Sequence, residues 1–374
     1  MAKHRKFNVD RFVDKFQGQE ELLTAFLARW AGRLEVPAGK TDAPTFKKFL
    51  ARGDGESMDD LYESLYRAYD LCSERGHEDL VAACRDFPPY DPDPDGKLPV
   101  ECLSLKVFTE NEDAFNLAYD RNTMWKADRF TVYRGQPGKA IEGPRDAVAR
   151  FRQRLAELFH YDKSSDRVLV RAYQEGSYTN LIVYHEKRTQ APLVFSGSKA
   201  ALKVVPKILR PAQQDFISYD PTTGQVEVEA RFEKEDAELR QAFAQSCLGD
   251  ADFFEGEGAA KRFNLGAIAD RDFQLRTSNE DSASLVELRF RLAQKHGPRL
   301  IVRSKDVLET LDFNGLRRRL SADQIESAVI KITFPDDSRG KRVEMSGTNR
   351  IKFKRATHAE DVFRYLKDWG ILLA

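Results

Sequence analysis

A chain of 374 residues with sixty Lys and Arg against sixty Asp and Glu carries no formal net charge, and 41% of it is hydrophobic. That supply of apolar residues excludes a disordered chain and suits two or three domains. No apolar run reaches the roughly 18–20 residues that cross a bilayer, no signal-peptide segment follows the basic start, and four scattered cysteines exclude a disulfide framework, so a soluble, cytoplasmic protein without membrane contact is expected.

The first ninety residues read as helical. Leu22, Leu23, Phe26, Leu27 and Trp30 recur at helical spacing, as do Leu61, Leu65, Tyr69 and Cys72, with Gly76 as a stop. A short helix over 77–85 follows. The stretch from Phe87 to Pro99 then holds five prolines in thirteen residues, which rules out a helix and marks a linker. Beyond it strands are expected, over 102–108 and 130–134. Gly143-Pro144 opens a helix to about His160, with proline at its first position. Segments 167–173, 178–185, 192–195, 216–219 and 225–231 read as strands. Asp220-Pro-Thr-Thr-Gly224 is the hairpin turn between the last two, and an amphipathic helix covers 233–247.

In the last third, Val286, Leu288, Phe290 and Leu292 alternate with Glu287, Arg289 and Arg291. A strand over 300–303, a helix over 304–311 and strands over 328–334, 341–345 and 350–354 follow. Thr357-His-Ala-Glu360 matches a capping box, with Ala359, Val362, Phe363, Leu366 and Trp369 as the buried stripe of the last helix and Gly370 as its end. Short turns between strands and segregated helices imply α+β class. The divisions that follow are a helical domain over 1–86, a linker over 87–99, and α+β domains over 100–265 and 266–374.

Several motifs bear on chemistry. Asp91, Asp93 and Asp95 followed by Gly96 resemble the start of a calcium loop. The twelfth position is Cys102 instead of Glu, so a solvated acidic linker is the expected outcome and no metal is assigned. Asp220, Glu227 and Glu229 are the nearest approach to the carboxylate set of a metal-dependent phosphodiester hydrolase, yet the lysine such a set needs is missing. The cysteines and histidines lack zinc spacing. Ser196-Gly-Ser-Lys199 lacks the first glycine of a phosphate loop, and no cofactor is expected. His185 stands beside Glu186 as an acid–base pair only if the fold closes on them.

Charge is uneven: residues 1–50 sum to +4, residues 51–100 to −8 and residues 301–374 to +4. In Arg350-Ile-Lys-Phe-Lys354 alternation sends Ile351 and Phe353 inward and lines Arg350, Lys352 and Lys354 outside. Arg289 and Arg291 do the same on their strand. With Arg317, Arg318, Arg319, Lys341 and Arg342 these define an expected basic sheet surface. The reading is a non-catalytic binding or adaptor subunit of a protein complex, meeting nucleic acid or an acidic protein partner there. The alternative is a nuclease built on the central hairpin.

Overall fold

Apolar residues at helical spacing make the start of the chain a helical unit. The computed structural model describes residues 7–52, 56–163, 165–187, 189–196, 202–256, 258–278, 280–292, 296–355 and 357–373. The chain divides into two compact units, Met1–Lys126 and Ala127–Ala374. The first contains α1 (Val9–Val13), α2 (Glu20–Ala28), α3 (Ala43–Arg52), α4 (Glu56–Asp70), α5 (Glu74–Arg85), α6 (Val100–Glu110) and α7 (Glu112–Lys126). Side-chain caps set the starts: the Ser73 hydroxyl accepts from Gly76 N at 3.0 Å at the head of α5, and Asn111 Oδ1 accepts from Ala114 N at 3.0 Å at the head of α7.

Residues 102–108, expected as a strand, lie inside α6, which touches α2, α4, α5 and α7. Cys102, Leu103, Ser104, Leu105, Val107 and Phe108 are all buried. A helix surrounded by others is apolar all round, so it loses the stripe that would betray its period and reads like a buried strand. The proline-rich stretch 87–99 is not a boundary either. Phe87, Tyr90 and Leu98 pack on the helical core, and chain continues within the same unit for a further two helices.

The second unit opens with β1 (Arg129–Arg134) and α8 (Pro144–Lys163), then β2 (Val168–Glu175), β3 (Tyr178–Glu186), β4 (Leu193–Ser196), β5 (Lys203–Pro206), β6 (Ala212–Asp220) and β7 (Gln225–Glu229). It closes with α9 (Glu233–Cys247), β8 (Ser282–Arg291), β9 (Arg299–Arg303), α10 (Val307–Phe313), β10 (Ile325–Phe334), β11 (Asp337–Ser346), β12 (Arg350–Lys352) and α11 (Ala359–Asp368). Ten strands form one antiparallel sheet in the order β2-β3-β6-β7-β1-β12-β11-β10-β8-β9, and β4 pairs with β5 in a separate ribbon. The class is α+β.

The expected split at 265/266 does not appear, because β1 sits between β7 and β12 and joins both halves. Thr131 faces Val228 on one side and Arg350 on the other. Local patterns give strands but not their long-range partners. The sheet is covered on opposite faces along its length. At one end, Phe151, Leu155 and Phe159 of α8 and Leu239 and Phe243 of α9 pack on Leu181, Val183, Ile217, Tyr219, Val226 and Val228. At the other end the opposite face is buried: Phe130, Ile351, Met345, Ala328, Ile330 and Leu288 are at most 1% exposed. There Phe353 meets Phe363 of α11 and α10 packs on β8.

Two local expectations are corrected. Leu285, not Val286, is the buried partner of Ile330, because the register with β10 slips between Val329 and Ile330. The capping box at Thr357 does not form. His358 takes the N-cap position in a left-handed conformation (φ 57°), and the Thr357 hydroxyl instead accepts from Lys341 Nζ. Val362, Tyr365, Leu366 and Trp369 form the buried stripe, and Gly370 (φ 66°) ends the helix.

Candidate functional site

Where α8 and α9 leave the sheet, the face they cover continues past β1, with Arg129, Arg342 and Arg350 exposed, Lys331 and Lys352 half-buried, and Ser327 and Val329 buried between them. Cross-strand partners share a face, so the pairs Arg129–Lys352, Lys352–Glu344, Arg342–Lys331, Arg350–Thr131, Arg289–Ser327, Arg303–Glu287 and Arg291–Arg299 place all these side chains there. Glu326 joins them by accepting from Arg291 Nε at 2.6 Å and pairing with Arg299 Nε at 2.7 Å. The two arginines hold its carboxyl below the ordinary Glu range, the hydrogen bond from Arg291 being the largest cause. Glu287 is likewise shared, with Arg303 at 2.8 Å and Arg289 at 3.7 Å. Arg350 pairs with Glu233 at the start of α9.

The remaining cations stand outside these ion pairs, although Arg129 acts electrostatically on the buried Glu229. Among the described residues, Arg129, Lys331, Arg342 and Lys352 form no ion pair. Glu344, the cross-strand partner of Lys352, is the carboxylate nearest to them by register. The face therefore has two parts, an arginine group tied to Glu287 and Glu326 and a group of four free cations around β10, β11 and β12. Besides the cations the registered positions hold Ser327, Ser346, Thr131, Val329 and Ile301. None of these described positions is aromatic, so they present charge and no ring for stacking.

The ten basic residues expected on this surface do not all reach it. Arg317 is 6% exposed and structural: Nη1 donates to Asp312 Oδ2 at 2.9 Å, and Nη2 donates to the carbonyls of Asp270 and Phe273 at 2.5 and 3.1 Å. Lys341 is the register partner of Ile332 on the buried face, its side chain 10% exposed and its pKa lowered, chiefly by burial. Arg318 and Arg319 are exposed on a 3-10 turn after α10, off the strands. Lys354 is exposed beyond the end of β12. Arg289, Arg291, Arg342, Arg350 and Lys352 do share the face. Sequence reading missed Arg129, Lys331, Arg299 and Arg303, although the alternation around Lys331 in Val329-Ile-Lys-Ile332 carried a usable signal.

The hairpin carboxylates are engaged elsewhere. Asp220 holds its own turn, accepting from Thr222 N at 3.0 Å and Thr223 Oγ1 at 2.8 Å. Glu227, 5% exposed, is paired with Arg355 and accepts from Gln225 Nε2 at 3.0 Å. Arg355 in turn stacks on Phe130, its guanidinium carbon 3.6 Å from the ring centroid, with Phe353 and Phe363 behind. Glu229 is pushed up to about 7, first by burial and then by Asp128 and Asp215. So one of the three holds its proton well above the usual carboxylate range, and the other two have spent oxygens on protein donors. In the Asp91–Asp95 stretch, Asp93 accepts from the amides of Lys97 at 3.1 Å and Leu98 at 2.9 Å, closing its own loop. Among the described residues no group of three or more His, Cys, Asp or Glu is arranged to hold a metal ion.

His185 pairs with Asp215 of the neighbouring strand, Nε2 to Oδ2 2.7 Å, and its Nδ1 lies 3.4 Å from the Glu186 carbonyl oxygen rather than meeting the Glu186 carboxylate. Glu186 instead accepts from the Ser165 hydroxyl at 2.6 Å. Asp215 Oδ1 also takes Gln213 Nε2 at 2.8 Å, which reaches Glu235 of α9 at 2.8 Å. The His185 and Asp215 side chains are 0% and 2% exposed, so this network ties α9 to the sheet rather than facing a substrate. Gly197, Ser198 and Lys199 of the Ser196–Lys199 stretch lie outside the described residues. No helix among the described residues is long and apolar enough to cross a membrane. A scan against known family models finds no match, and a search of curated proteins finds no relative.

Proposed function

We propose that the protein is a non-catalytic binding subunit of a cytoplasmic complex, which holds a polyanion, foremost a nucleic-acid backbone, on the exposed face of β8–β12. The observation that supports this reading is the group of Arg129, Lys331, Arg342 and Lys352, gathered from four strands without a neutralising ion pair among the described residues. Binding there is electrostatic and tolerant of sequence, because the described positions of the face carry cations, the carboxylates of Glu287, Glu326 and Glu344, and small side chains, but no aromatic ring to stack on a base. Phosphodiester hydrolysis on the central hairpin draws no support from the site, since Asp220 and Glu227 are occupied by the turn and by Arg355.

The test is fluorescence anisotropy of a labelled 30-nucleotide strand at rising salt, with and without EDTA. Four cations neutralising four phosphates give a slope of log K against log salt near −2.8, so affinity falls about 50-fold between 50 and 200 mM salt. R342A/K352A halves that count, giving a slope near −1.4 and a fall of about sevenfold. EDTA changes neither. A wild-type affinity flat in salt, or a variant with the parent slope, refutes the reading. Equal competition by polyglutamate would assign the face to an acidic protein.

A further inference from the structure

The hairpin of β3 and β6 outlasts the large sheet. Past Glu186, Lys187 N donates to Pro211 O at 2.8 Å, Gln190 and Leu209 exchange backbone bonds at 2.8 and 3.0 Å, and Lys207 N donates to Pro192 O at 2.9 Å. The ladder then runs on as β4 paired with β5, and neither strand packs more than slightly on any other described element. Phe195 faces Val204 and Leu193 faces Pro206, so these four share one side of the ribbon. Leu193 is 71% exposed, Phe195 74% and Val204 57%. Such a concentration of bare apolar surface marks an interaction site. From Lys187 to Arg210 the sequence has six Lys and Arg and no Asp or Glu, in a chain where acids and bases are equal in number overall.

We propose that the β4–β5 ribbon is a contact arm for single-stranded nucleic acid. Phe195, flanked by Leu193 and Val204, is the platform on which an unstacked base lies, while Lys203 on the ribbon's other side and the segment's further cations draw the phosphate backbone to the arm. Charge complementarity selects an anionic partner. It also opposes a second copy, whose ribbon would bring the same six cations. A lipid bilayer fits poorly, because a two-stranded ribbon leaves both outer rows of amides and carbonyls unpaired and hydrocarbon offers them nothing. A nucleic acid leaves those edges in water. The ribbon is distinct from the exposed sheet face, so this inference goes beyond the polyanion reading and stands or falls separately.

The experiment uses the full chain with labelled 30-nucleotide oligothymidylate and oligouridylate, and heparin as a competitor that carries charge but no bases. Phe195→Ala lowers affinity for at least one oligonucleotide by about tenfold and leaves the heparin constant unchanged. Phe195→Trp retains or raises affinity, which separates stacking from folding. R342A/K352A weakens oligonucleotide and heparin together, so loss of one effect without the other tells the two surfaces apart. Parent-like affinity in Phe195→Ala overturns the proposal. So does an equal loss for heparin, a Phe195-dependent association with phosphatidylserine vesicles while oligonucleotide binding is intact, or a Phe195-dependent dimer.

Discussion

Glu229 gives the sharpest prediction because its perturbation and sign follow from its surroundings. It ends β7 with a pKa raised from 4.5 to about 7, by burial first, then by Asp128 and Asp215, against the opposing pull of Arg355 and Arg129. In the unfolded chain the carboxyl releases its proton near its ordinary value, whereas the folded protein keeps it until about pH 7. Between these limits the folded state binds more protons, so stability falls as pH rises from about 4.5 to 7 and levels off above. A shift of this size corresponds to a loss on the order of 3 kcal/mol. Glu229→Gln keeps the shape of the protonated acid and cannot ionise. At pH 8 it is expected to stabilise the protein by on the order of 2–3 kcal/mol, raising Tm by roughly 5–10 °C, with little change at pH 5. Thermal melts followed by circular dichroism at pH 5, 6, 7 and 8 measure this. Identical melting of the two proteins at pH 8, or a larger effect at pH 5, refutes the argument.

Two further predictions concern buried polar groups. Arg355→Met keeps the apolar contact with Phe130 but strands Glu227 in the interior, and is expected to cost about 3–5 kcal/mol in urea denaturation. Adding Glu227→Gln should recover at least half of that, and a single-variant cost below about 1 kcal/mol would show the pair to be dispensable. For His185 and Asp215, Leu substitutions singly should each cost about 2 kcal/mol or more by leaving a buried partner unsatisfied. The double variant should cost less than their sum by about 0.5–3 kcal/mol, and strict additivity would show that the 2.7 Å contact is not a coupled interaction.

Parts of this molecule were legible in its residues and parts were not. Ile351 and Phe353 face inward and Arg350 and Lys352 outward, as alternation requires, because a strand with one buried face must segregate its side chains. The helix over α11 and its Gly370 stop were equally readable. Arg317 misled: three consecutive arginines look like a surface, yet one of them satisfies two backbone carbonyls and a carboxylate inside the fold. Lys341 misled for a related reason, since its strand turns it toward the buried side where its long stem packs and its ammonium bonds Thr357. Strand β4 was read at 192–195, but β5 and the ribbon they form were not. Its run of cations without acids was visible, but nothing local says that both strands stand apart from the main sheet.

Taken alone, the residue pattern determined the α+β class, most element positions and the facing of strands without a register slip, such as β12, because these depend on neighbours within a turn or two of chain. It could not supply the pairing of β1 with β12, the merging of two expected domains into one ten-stranded sheet, or the central burial of α6. Those outcomes depend on contacts between segments far apart in sequence, whose selection rests on the burial of whole faces rather than on local propensity. The same holds for function: Arg129, Lys331, Arg342 and Lys352 come from four separate strands, and only the order of those strands brings their charges onto one surface.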